Sequence, residues 1–367
     1  MLFARYGKTK PVVSCYQETA LFKTMDKQSL NDTAQKMMAG HKGLLAMDES
    51  IPTANKRFAE AGISQTIEYR RKYRELIVTT PGLGECISGA ILFDETIHQS
   101  TTDGVPFLDI LKKQGIIPGI KLDEGAKDMA AFPGEKITEG LDGLRERLTD
   151  YAKTGLKFAK WRAVITIADD LPTEGNIYAN AYILARYAAL CQEAGLVPII
   201  EPEVLMDGDN DIDRCFEITQ KTLHIVFEVL IKQRIYLEGI ILKPNMVLPG
   251  LKSATRVDAD RVADETIKCL LRCVPAVVPG VAFLSGGQSE TDATMHLNAM
   301  HVKYQGKLPW ALTFSFARAI QQPAMDYWKG KDENVAVAQQ LLYHRAKLNN
   351  IARQGKYNPS MEQAVSA

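Results

Sequence analysis

Eight short apolar runs, most closing on polar or charged residues and separated by helical sequence, constrain the chain more than any other feature. They are Gly43–Met47 ending at Asp48, Ile87–Phe93 ending at Asp94, Ile116–Ile120 ending at Lys121, and Phe158–Ile165. Val197–Glu203, Leu237–Val247, Val281–Ser285 and Trp310–Ser315 complete the set. A strand that is apolar throughout needs cover on both faces, which is the mark of a parallel sheet. Eight strand–helix units predict an α/β fold, a single (β/α)8 TIM barrel. An open doubly wound sheet is the alternative, but no G-x-G-x-x-G follows the first run. Extra helices flank the barrel. Asp26 to Met38 reads as one, with Leu30, Ala34, Met37 and Met38 on one side. Two more follow Ser315, with Asp332 the expected N-cap of the second.

A chain of 367 residues is long enough for two domains, yet barrels reach this length as one. The barrel is expected over 26–353, after a basic extension over 1–25 and before a polar, mobile tail over 354–367. In the extension Arg5, Lys8 and Lys10 precede the first acid, Glu18, which reads as a loose basic terminus rather than a transit peptide. Lysine plus arginine equals aspartate plus glutamate at 44 each, so no global field attracts nucleic acid or acidic lipid. No run approaches a membrane span. Six scattered cysteines and dispersed histidines predict reduced thiols, a cytoplasmic setting and no metal site. Cys269 and Cys273 lie one helical turn apart, but no ligand partner sits beside them.

The chemistry collects where the strands end. Asp48, Asp94, Lys121, Lys160, Arg162, Glu201, Glu203, Lys243, Ser285 and Ser315 all fall there. In a barrel the C-terminal strand ends share one face, the face that carries active sites. Side chains two apart on a strand leave the same side, which pairs Glu201 with Glu203 and Lys160 with Arg162. Lys243 follows Ile240, Ile241 and Leu242. Burial beside a second cation, Lys160, disfavours its charged form, and a neutral amine attacks carbonyls to form a Schiff base. Neighbouring carboxylates can move the protons that this condensation needs. Ser285-Gly286-Gly287 after the seventh run and Arg318 after the eighth mark the place where barrels often hold phosphate. A second basic cluster, Ser50, Thr53, Lys56 and Arg57, reads equally well as a helix start with a solvated face.

These residues lie in motifs that together resemble the class I fructose-bisphosphate aldolases over about 36–357. The motifs are Leu-Leu-Ala-x-Asp-Glu-Ser at 44–50, Gly-Leu-Asp-Gly-Leu at 140–144, Phe-Ala-Lys-Trp-Arg at 158–162 and Val-Pro-Ile-Ile-Glu-Pro-Glu at 197–203. Leu-Lys-Pro-Asn-Met-Val at 242–247, Phe-Leu-Ser-Gly-Gly-Gln-Ser at 283–289 and Pro-Trp-Ala-Leu-Thr-Phe-Ser at 309–315 continue the likeness. The resemblance implies reversible cleavage of fructose 1,6-bisphosphate to dihydroxyacetone phosphate and glyceraldehyde 3-phosphate, in glycolysis and gluconeogenesis. It implies Lys243 as the Schiff-base lysine, Glu201 as the proton carrier, and Asp48 as the base that starts carbon–carbon cleavage. Lys160 and Glu203 would tune the charge around them. Ser285, Gly286 and Arg318 would hold one phosphate, while Ser50, Thr53, Lys121, Arg57 and Arg70 would serve the other end. No cofactor is expected, since the protonated imine is itself the electron sink, and a homotetramer is implied. The competing readings are a non-catalytic scaffold on the same fold and a related Schiff-base sugar-phosphate lyase. Three departures stand out. The chain ends Val365-Ser366-Ala367 where eukaryotic members commonly have a terminal tyrosine, which bears on the choice between bisphosphate and monophosphate. Pro52 replaces a small residue, and Ala317 stands where glycine is usual.

Overall fold

A computed structural model describes residues 25–364. Its parallel strands run in sequential order around a closed barrel. They are β1 (Gly43–Met47), β2 (Ile87–Leu92), β3 (Ile117–Lys121), β4 (Phe158–Ile165), β5 (Val197–Val204), β6 (Ile241–Leu242), β7 (Gly280–Phe283) and β8 (Ala311–Phe316). Leu44 opposite Ser315 and Leu45 opposite Phe316 close β1 against β8. The fold class expected from the eight apolar runs is the one observed.

Strand alternation sorts the side chains onto two faces. Leu44, Ala46, Ile91, Phe158, Val197, Ile199, Ile241 and Ala282 make one buried cluster inside the barrel. Leu45, Met47, Leu92, Trp161, Ile200, Leu242 and Phe283 join the larger cluster beneath the helices. The helix Lys27–Met38 starts where the Asp26 carboxylate accepts from Ser29 N, and it sends Leu30, Ala34, Met37 and Met38 into the inner cluster. It therefore stoppers the N-terminal mouth and leaves the C-terminal end open.

Some expected elements change. Most of Leu237–Val247 is not strand: Leu237–Gly239 forms a 3₁₀ turn and only Ile241–Leu242 pairs as β6. Lys243 N still donates to Ile200 O at 2.7 Å, but Pro244 has no N–H with which to continue. Asp332 does not cap the last long helix. A 3₁₀ turn, Asp332–Asn334, intervenes, Asn334 holds the cap position, and the Asp332 carboxylate takes Lys72 Nζ at 3.0 Å. An antiparallel pair, Ala126–Asp128 with Lys136–Thr138, lies between β3 and β4. Such short strands carry too little apolar pattern to be read from sequence. In the polar tail, Pro359–Ala364 forms a 3₁₀ turn, where Glu362 pairs with Arg345 and accepts from Tyr357 Oη at 2.7 Å.

Apart from Met25, the basic extension over 1–25 lies outside the described residues, as do Cys15 and Val365-Ser366-Ala367. The other five cysteines are free, buried thiols. Among the described residues no helix is long and apolar enough to cross a membrane.

Candidate active site

Where each inner row of the barrel reaches the C-terminal rim, apolar side chains give way to charged ones. Phe158 is followed on its face by Lys160 and Arg162, Ile199 by Glu201 and Glu203, Ala46 by Asp48 and Ile241 by Lys243. Register then brings neighbouring strands level, with Lys121 opposite Lys160 and Arg162 opposite Glu201. The resulting cavity has a volume of about 690 Å³ and is lined by all of these groups. That size suits a sugar phosphate.

The charges form a connected chain. Lys243 Nζ lies 3.1 Å from Glu201 Oε1, and Lys160 Nζ lies 3.4 Å from Glu201 Oε2. Lys160 Nζ also contacts Asp48 Oδ2 at 2.8 Å and Asp123 Oδ2 at 3.8 Å, and Asp123 Oδ1 takes Lys121 Nζ at 2.8 Å. The Lys243, Glu201 and Lys160 side chains are only 4–5 % exposed. Glu201 Oε2 has the nearby ammonium but no hydrogen bond of good geometry. It is thus the oxygen free to take or give a proton. Lys160 and Lys243 do not meet as bare cations, because Glu201 stands between them. Glu203 is bound to Arg162 Nε.

Burial raises the Asp48 carboxyl, but the Lys160 and Lys243 charges outweigh it and hold Asp48 at about 2. Burial likewise opposes the charge of Lys160, and Asp48, Glu201 and Asp123 more than reverse that, so Lys160 is a fixed cation.

Two helices start at this rim, Ile51–Glu60 and Arg318–Trp328. Neither start is closed by a side-chain cap bond, so unpaired N–H groups and the positive dipole ends face an incoming anion. Ser50 Oγ and Thr53 Oγ1 are 3.1 Å apart at the first start. Pro52 falls in its first turn, where a missing N–H costs nothing, so this departure suits the fold. At the second, Ser285, Gly286, Gly287, Ser315 and Arg318 line the wall, and Arg318 donates to Gly286 O at 2.7 Å. Gly286 has φ +58°, a left-handed turn that favours glycine. The Ser315 hydroxyl is buried and lacks a partner. Among the described residues no group of three or more His, Cys, Asp or Glu side chains is arranged to hold a metal.

A family model described as fructose-bisphosphate aldolase class-I matches residues 29–367. The chain belongs to the class I fructose-bisphosphate aldolase family. A probable class 1 fructose-bisphosphate aldolase of Xanthomonas campestris pv. campestris is 54% identical over 334 residues, 91% of this chain and 99% of that protein. Fructose-bisphosphate aldolase 6, cytosolic, of Arabidopsis thaliana is 49% identical over 86% of this chain and 88% of its own. Among solved structures, the Plasmodium falciparum aldolase in a ternary complex with TRAP and a small-molecule inhibitor superposes with a TM-score of 0.89. It is 47% identical, over 90% of this chain and 96% of that one.

Within this aldolase-family barrel, the residues singled out from the sequence line the cavity except Asp94, Lys56 and Arg70. Asp94 is exposed and accepts from Tyr151 Oη at 2.8 Å. Arg70 lies under the rim, where its guanidinium binds Glu95 at 2.7 Å and Asn55 at 3.0 Å. Arg57 reaches the cavity wall, but Glu49 and Gln322 already hold it. The reading missed Asp123 and Glu49. Asp123 is two residues beyond Lys121, so the period-two rule that found Glu203 would have found it too. It accepts Arg162 N at 3.2 Å besides pairing with two lysines. Glu49 had no such signal, since its partner Arg74 comes from a distant helix, Ile67–Val78.

Proposed function

We propose that this protein cleaves fructose 1,6-bisphosphate reversibly into dihydroxyacetone phosphate and glyceraldehyde 3-phosphate, without metal or cofactor. The Lys243 amine attacks the C2 ketone, and Glu201 passes protons so that the carbinolamine loses water and becomes a protonated imine. Asp48, ionised throughout the neutral range, takes the proton of the C4 hydroxyl. The C3–C4 bond breaks, its electrons flow into the imine as an enamine, and glyceraldehyde 3-phosphate leaves. Protonation of the enamine and hydrolysis of the imine then release dihydroxyacetone phosphate and restore Lys243. Lys160 balances the carboxylates during these transfers. Ser285, Gly286, Gly287 and Arg318 take one phosphate. Ser50, Thr53 and Lys121 take the other, with Arg57 and Arg162 shaping that wall. Family membership supports a homotetramer, and the cytosolic relative supports a cytoplasmic location.

The observation that carries this reading is Glu201 set between two buried lysines with one oxygen toward each. Borohydride added with dihydroxyacetone phosphate is expected to fix mass on the peptide containing Lys243. Label elsewhere, no label, or full activity in Lys243→Ala overturns the assignment.

A further inference from the structure

At the other end of the barrel, β1 and β8 begin beside a second cavity of about 230 Å³. His41, His301, Trp310 and Arg353 are in its wall, and no aspartate or glutamate is. β1 spans Gly43–Met47 before Asp48, so the two cavities are separated by roughly 17 Å of strand.

Arg353 is what sets this cavity apart. It is 6% exposed. The other buried arginines among the described residues each have a carboxylate: Arg57 and Arg74 share Glu49, Arg70 has Glu95, and Arg345 has Glu362. Arg353 has none. One terminal nitrogen donates to Lys42 O, while its Nε is buried without a partner. Two ring nitrogens of residues in the same wall are also unpartnered, Trp310 Nε1 and His301 Nε2, and Trp310 is 4% exposed. Burying a guanidinium with one carbonyl partner and an indole N–H with none is unfavourable, and an anion held between them would offset that cost. The electrostatics agree. Burial brings Arg353 down to about 10. Burial and the Arg353 charge bring His301 down to about 4. Burial and the charges of Arg353 and Lys356 lower His41. Among the described residues no acid near Arg353 offsets its charge.

We infer that this cavity binds a small oxyanion, a phosphate or a carboxylate, between the Arg353 guanidinium and the Trp310 indole N–H. The exposed Lys356 adds long-range attraction.

Protein labelled with 5-fluorotryptophan gives one fluorine resonance for each of Trp161, Trp310 and Trp328. Trp161 and Trp328 are fully buried, and no tryptophan lines the active-site cavity. Inorganic phosphate and, separately, acetate are expected to shift the Trp310 resonance saturably and to leave the other two in place. Tighter phosphate assigns a dianion site and tighter acetate a carboxylate site. Arg353→Met should weaken binding at least about tenfold, the effect of losing a charged hydrogen-bond donor. Lys356→Met, at an exposed position that does not threaten the fold, should weaken it about twofold. If Arg353→Met fails to fold, Lys356→Met carries the test alone. A Trp310 resonance that ignores both anions, or binding unchanged in the variants, overturns the site.

Discussion

The two ends of this barrel bury cations in opposite ways. At the C-terminal end Lys160 touches Asp48, Glu201 and Asp123, and Lys243 touches Glu201. Every buried positive charge there has a negative one, and the set is held rigid by what it binds. At the N-terminal end Arg353 sits near the start of β1 with a backbone carbonyl and, among the described residues, no carboxylate. The difference separates a site built to do chemistry on its own from one that is complete only with a ligand. An internally matched lattice keeps its geometry when empty, as preorganised catalysis requires. An unmatched cation keeps affinity in reserve for an anion.

The largest effect should follow from breaking the lattice at its centre. Lys160→Met leaves Asp48 and Glu201 facing each other's charge in a dry space. Removing one partner of a buried ion pair costs about 3–5 kcal/mol, which urea unfolding reads directly. kcat/KM should fall at least about 100-fold. Adding Asp48→Asn removes one stranded carboxylate, so part of the stability returns while activity stays lost. Full additivity of the two changes would mean that the residues are not coupled.

Acid tests the same lattice without mutation. Asp48 sits at about 2 in the folded protein against an ordinary 3.8. A carboxyl depressed on folding adds stability that is fully present above its unfolded value and is lost as pH falls toward the folded one. The window is therefore from about pH 4 down to pH 2, and the contribution is about 2 kcal/mol. Urea midpoints measured across that window should fall more steeply in the native protein than in Asp48→Asn. Parallel curves would show that Asp48 is not held by its neighbours.

A smaller loss is expected from Arg318→Ala. Arg318 is exposed and makes one bond, to Gly286 O, so the fold should be nearly unaffected. If it binds a substrate phosphate, KM for the bisphosphate rises about tenfold with kcat little changed. An unchanged KM would remove Arg318 from the phosphate site.

What the sequence made legible follows one rule and fails where that rule ends. Alternation with a period of two put Lys160 with Arg162 and Glu201 with Glu203, because strands transmit side-chain direction without reference to anything else, and strand ends marked Asp48 and Lys243. The barrel came from the opposite signal, apolar runs without alternation, each of which had to be covered on both faces. Arg70 defeated the reading: a helix surface offers several directions, and only the three-dimensional position of Glu95 decides which one is used. The Leu237–Val247 run was overread for a similar reason, its apolar content serving a turn and a buried loop as well as a strand. The Arg353 cavity left no trace at all, because Gly40, Trp310 and Arg353 are far apart in the chain and meet only when β1 and β8 close the barrel.

The smallest expected effect is the most pointed. In phosphate-free buffer Arg353→Met should change unfolding free energy by less than about 1 kcal/mol. The lost bond to Lys42 O is offset by relief from burying an unmatched charge. The sign differs from that of Asp48. Burial alone lowers Arg353, which penalises the charged folded state, whereas the ion pairs that lower Asp48 stabilise it. Saturating phosphate should then raise the stability of the native protein by roughly 2–3 kcal/mol at a hundredfold excess over Kd, and leave this increment absent in Arg353→Met. A loss in phosphate-free buffer as large as that of Lys160→Met would place Arg353 in a matched pair like the rest, and the contrast between the two ends of the barrel would be gone.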